Sequence, residues 1–164
     1  MSRPVAERKV LTAKLDEALR DASGRSVLFS QAVADSAGMN PTDLESLDLL
    51  ARNGPMTAGR LADLTGLTTG AITGLIDRLE RRGYARREPH PSDRRSVIVQ
   101  PLIENAEHDL APAYVSMNQA MDGLLSRYSD EELAVILDFT IRAAEITSQQ
   151  IAALRTEAAG KRDR

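Results

Sequence analysis

Residues 61–99 read LADLTGLTTGAITGLIDRLERRGYARREPHPSDRRSVIV, and the punctuation of this stretch decides the fold. Thr57, just ahead of it, can cap a short helix carrying Leu61, Ala62 and Leu64, and Gly66 stands where a left-handed residue must turn the chain. Thr68 can cap a second helix, whose Ile72, Leu75, Ile76 and Leu79 recur at helical spacing as one buried stripe and which stops at Gly83. Residues 84–88 and 96–100 suit two short strands, the second through Val97, Ile98 and Val99, with 89–95 as the loop between them. Two short helices joined by a glycine turn and followed by a hairpin make a winged helix-turn-helix.

The flanking segments are helical. On the N-terminal side Val10, Leu11, Leu15, Ala18 and Leu19 fall at helical spacing, and a second helix is expected from about Arg25 to Ala37 after a break at Ser23-Gly24. Asn40-Pro41 then starts a helix lined by Leu44, Leu47, Leu50 and Ala51, which Asn53-Gly54-Pro55 ends. On the C-terminal side a long stripe runs from Leu102 through Leu110, Met117 and Met121 to Tyr128, and Pro112 is expected to kink or divide it. Ser129 with Glu132 has the form of a capping box opening a final helix. The class is therefore mainly α with a two-stranded wing, organised as 1–40, 41–101 and 102–164.

Charge separates these parts. The chain of 164 residues has a net charge of −3, but residues 54–101 carry 8 basic against 5 acidic groups, while 102–164 carry 6 against 11. Between Arg78 and Arg95 seven arginines face Glu80, Glu88 and Asp93, a local excess of +4. Attraction of phosphate depends on such local charge rather than on the total. Taken alone, an arginine run is as well explained by a solvated surface.

Several function classes find no residues. Cysteine is absent, which removes disulfides, thiolate metal sites and thiol sensing. With only His90 and His108 and no His-Glu zinc spacing, neither a metal nor another cofactor is expected. There is no glycine-rich phosphate loop after a strand and no nucleophile elbow, so an enzyme is not expected. No apolar run has signal-peptide or membrane-spanning form, and a cytoplasmic location with no membrane partner is the expectation.

The stretch 61–99 resembles the winged helix of the multiple-antibiotic-resistance regulator (MarR) family of bacterial transcription factors. The resemblance rests on the helix-turn-helix, Asp77-Arg78-Leu79-Glu80, Arg82-Gly83, and a wing in which Asp93 and Arg95 precede an apolar strand reaching Val99. It implies a homodimer whose N- and C-terminal helices form the dimerisation region, with two winged helices straddling a pseudo-palindromic site on double-stranded DNA, most often as a repressor. It also implies a small amphipathic effector, for which Phe29, Met39, Met117 and Met121 are the candidate lining; methionines and an aromatic at helical spacing are more commonly plain core. Two departures stand out. Pro101-Leu102 replaces the family's usual Leu-Thr, leaving the start of the next helix open, and Gly74 occupies a position that is often basic in relatives.

The candidate DNA contacts follow from side-chain chemistry. Thr68, Thr69, Gly70 and Thr73 offer hydroxyls, methyls and a close backbone approach to a major groove. Arg78, Arg82 and Arg86, with Arg81 and Arg87, are candidates for phosphate, although Arg78 and Arg81 can equally pair with Asp77 or Glu80. At the wing, alternation would place Asp93 and Arg95 on one side if the extended conformation persists, the carboxylate orienting a guanidinium for the minor groove, with Arg94 turned toward a phosphate. The rival class is a winged-helix protein-interaction module that binds an acidic partner and no DNA.

Overall fold

A computed structural model of the chain describes residues 5–93 and 96–162. Among them run α1 (Val5–Ser36), α2 (Pro41–Asn53), β1 (Met56–Thr57), α3 (Ala58–Thr65), α4 (Thr69–Arg81), β2 (Ala85–Pro89), β3 (Val97–Pro101), α5 (Ile103–Leu125) and α6 (Asp130–Arg162). The chain divides into two compact units, one ending at Tyr114 and the other beginning at Val115.

In the first unit, local capping explains most helix ends. The Asn40 side chain accepts from the Thr42 amide at 2.9 Å, with Pro41 in the first turn of α2. Thr57 accepts from the Arg60 amide at 3.1 Å, and Thr68 from the Ala71 amide at 3.3 Å. Each oxygen satisfies an amide that the helix cannot. Gly66 has φ +75° and Gly83 φ +72°, backbone that an L side chain would strain, so both turns are glycine's by necessity.

Two expectations change. α1 runs through Gly24 without a break: an isolated glycine costs a helix roughly 1 kcal/mol, too little to end one this long. At Pro112, where a kink or a division is expected, α5 is not divided, although the proline costs about 3 kcal/mol in a lost hydrogen bond and crowding. The sheet has three strands in the order β1-β3-β2, because Met56 and Thr57 pair with Val99 and Ile98 outside the expected hairpin. The hairpin itself pairs Arg87 with Val99 and Ala85 with Pro101.

The core gathers Leu44, Leu47 and Leu50 of α2, Leu61 of α3, the stripe of α4, Tyr84, Ala85 and Val99, closed by Val33 and Ala34 at the end of α1 and by Ala106 and Leu110 of α5. The start of α5, open in the sequence, is tied to the turn at Gly83 and Tyr84: the Leu102 amide donates to the Tyr84 carbonyl at 2.8 Å, and Asn105 Nδ2 donates to the Gly83 carbonyl at 2.9 Å.

In the second unit the capping box is complete, Ser129 N–H donating to Glu132 Oε2 at 2.9 Å and Glu132 N–H to Ser129 Oγ at 3.3 Å. This stretch carries large exposed apolar residues, among them Met121, Leu125, Tyr128, Ile136, Leu137 and Ile141. Among the described residues, no helix is long and apolar enough to cross a membrane.

Candidate nucleic-acid interface

The turn between α3 and α4 leads into the candidate interface. Gly66 N–H donates to the Ala62 carbonyl at 2.8 Å and Thr65 Oγ1 to the Leu61 carbonyl at 2.8 Å, closing α3 before Thr68 opens α4. α4 buries Ile72, Leu75, Ile76 and Leu79 and turns Thr69, Gly70, Thr73 and Asp77 to solvent. The first backbone amides of α4 lie on this exposed end, where a helix favours anions. Thr73 Oγ1 donates to the Thr69 carbonyl at 3.0 Å, which leaves its lone pairs facing out.

Gly70 is not demanded by packing, since a Cβ there would meet nothing within 4 Å. Gly70→Ala should therefore stabilise the free protein by up to about 1 kcal/mol through helix propensity, while weakening duplex binding if the backbone approaches a groove. Denaturation and titration of one preparation separate these effects. A gain in stability with unchanged affinity would remove the close-approach role.

The arginines divide into two groups. Arg78, on α4, donates Nε and Nη2 to the two carboxylate oxygens of buried Asp43, on α2, each at 2.7 Å. Arg82 donates Nη1 to the Ala37 carbonyl at 3.0 Å and Nη2 to the Gly38 carbonyl, capping the end of α1. Arg87, on β2, pairs with Asp77 at 2.7 Å and with Glu80, and its amide donates to Glu80 Oε1 at 2.7 Å, so the wing is tied to α4. Arg81 and Arg86 stay exposed, Arg86 beside Glu88 at 2.7 Å. The sequence offers Arg78 local partners in Asp77 and Glu80, but its side-chain hydrogen-bond partner, Asp43, lies 35 residues away.

The wing bends before its tip. Extended structure ends at Pro89 and resumes at Val97, so alternation does not reach Asp93. The cause is local: His90 Nδ1 accepts from the Ser92 and Asp93 amides at 3.3 and 3.1 Å, folding 90–93 into a turn, and the Ser96 amide donates to the Asp93 carbonyl at 3.0 Å. Arg94 and Arg95 lie outside the described residues.

Of the candidate effector lining, Phe29 and Met39 belong to the first unit and Met117 and Met121 to the second. Met39 is core, while Phe29 meets Tyr114 edge to face at 5.7 Å, both half-buried. Burial pushes the Tyr114 hydroxyl above its ordinary range, with Asp48 adding to it. Met117 and Met121 are exposed in the second unit. An open apolar groove there, of about 500 Å³, is lined by residues such as Leu125, Leu133 and Leu137 and holds none of the four. Among the described residues, no group of three or more histidines and carboxylates could hold a metal ion.

Comparisons with known proteins converge. A family model described as MarR family matches residues 37–96. YcgE of Bacillus subtilis, described as an HTH-type transcriptional regulator, is 43% identical over 131 residues, spanning 80% of this chain and 84% of its own. YkoM of the same organism, described likewise, is 42% identical over 118 residues, 70% and 73% of the two chains. In fold, the chain is similar to a MarR family protein from Bacillus stearothermophilus, with TM-score 0.65 and 23% identity over 87% of this chain and 97% of that one.

Proposed function

The chain belongs to the MarR family of DNA-binding transcriptional regulators, which are not enzymes, and on that premise we propose that it acts in the cytoplasm as a homodimeric repressor of a pseudo-palindromic operator. Each protomer places α4 in a major groove and the wing in the flanking minor groove. The observation that carries this reading is the small, exposed face of Thr69, Gly70 and Thr73 on a helix whose opposite face is buried.

Thr68, Thr69, Gly70 and Thr73 are assigned to base edges and nearby phosphates, Arg81 and Arg86 to phosphate, and Asp93, Arg94 and Arg95 to the wing contact. Arg78 and Arg82, hydrogen-bonded to Asp43 and to the end of α1, are assigned to support. Residues 1–40 and 102–164 pair with a second copy, a role favoured by their exposed apolar side chains, which a lone chain leaves in water. The reading extends to an amphipathic effector, for which the half-buried rings of Phe29 and Tyr114 offer an apolar wall and a hydroxyl.

Selection of bound duplexes from a random pool, followed by salt titration, tests the proposal. A symmetric consensus is expected, with log affinity falling linearly in log salt at a slope of about −0.9 per neutralised phosphate. No binding to any duplex would favour the protein-interaction module instead.

A further inference from the structure

We infer that Asp43 is a positioning residue for DNA recognition: from α2 it holds Arg78 and thereby sets the rotation of α4 about its own axis. The inference rests on the DNA-binding reading above and concerns a residue with no route to the duplex of its own, because Asp43 is 4% exposed.

The geometry is specific. Both carboxylate oxygens are used, by two nitrogens of one planar guanidinium, at 2.7 Å each. A bidentate pair fixes orientation as well as distance, which a point charge such as lysine cannot do. Asp43 sits in the first turn of α2, where a carboxylate is favoured by the helix dipole. Arg78 follows Gly74 by one turn, and a Cβ at Gly74 would come to 3.5 Å of Arg78 Nη1. The guanidinium thus lies alongside the glycine, adjoining the face that carries Thr73 and Asp77. The apolar stripe of α4 decides which side is buried, but leucine and isoleucine contacts tolerate small rotations. A two-pronged ion pair to another helix does not, and rotation of α4 would displace Thr69, Gly70 and Thr73 together.

The sign of one substitution separates this role from simple electrostatics. Asp43→Asn removes a negative charge from a DNA-binding protein, so a purely Coulombic account predicts tighter binding, whereas positioning predicts weaker binding. On the positioning account Asp43→Asn and Arg78→Lys each lower operator affinity, on the order of tenfold, and the double variant is no worse than the weaker single one, because both break the same pair. The salt slope stays that of the wild type, since no phosphate contact is lost; an Arg78–phosphate contact would lower the slope by about one unit in Arg78→Lys only if the lysine no longer reached the phosphate.

The experiment is operator titration of the full-length wild type, both single variants and the double variant across a salt series, with amide hydrogen exchange of the DNA-free proteins. Weaker binding by Asp43→Asn at unchanged slope, with faster exchange along α4, supports the inference. Unchanged or tighter binding by Asp43→Asn, with α4 protection as in the wild type, overturns it while leaving DNA binding intact. Should Asp43→Asn fail to fold, Arg78→Lys carries the test: full affinity, or a loss with α4 protection as in the wild type, overturns the inference, and a loss at constant slope with faster exchange along α4 supports it. A wild type that binds no duplex overturns the DNA-binding reading, and the inference falls with it.

Discussion

Leu75→Ala should destabilise the chain by about 2–5 kcal/mol, the range for removing a buried leucine side chain. Leu75 is 0% exposed and sits mid-helix in α4, on the side opposite the candidate DNA face. The cost of such a truncation depends on how far the surroundings collapse into the space. Here collapse is resisted, because α4 is tied to α2 by Arg78 and Asp43, to β2 by Arg87 with Asp77 and Glu80, and to the end of α1 by Arg82. The upper half of the range is therefore expected. Denaturant unfolding at fixed protomer concentration checks it, the midpoint falling while the slope is unchanged. A loss under 1 kcal/mol would mean that α4 settles freely and that these polar ties do not constrain it.

Arg95→Ala should weaken operator binding by about 1–3 kcal/mol at matched salt and leave the dimer intact. Arg95 falls in the sequence between β2 and β3, and β2 is fixed to α4 through Arg87. An arginine suits the enhanced negative potential of a narrow minor groove. Loss should concentrate on sites with A·T-rich flanks, and sedimentation should give the same mass for both proteins. Unchanged affinity would remove the wing from the interface and leave α4 as the sole recognition element.

What the sequence disclosed follows from the range of the interactions involved. Asn40, Thr57, Thr68 and the Ser129–Glu132 box act within three residues, so their spacing alone announces them, and each caps its helix as expected. Gly66 and Gly83 were legible because their turns demand positive φ. β1 was not: two residues carry no periodicity, and its partner lies some forty residues on. The candidate DNA face was legible from the small residues opposite an apolar stripe. The duties of the arginines were not, since Arg78 and Arg82 find partners 35 to 45 residues away and Arg87 reaches back seven or more across a turn. Asp43 was invisible for the same reason, being one carboxylate among several on α2 until the fold sets it against Arg78.

Those pairings also govern the pace of encounter with a duplex. The arginine segment 78–95 has an excess of +4 along the sequence, but folding brings Asp43 and Asp77 against it at 2.7 Å, which lowers the excess by two. What remains on that segment is a local excess of +2, which a duplex meets only within about 8–10 Å at ordinary salt. On the proposed reading, steering therefore acts at short range, and the dwell time on an operator would depend on the fit of α4 and the wing.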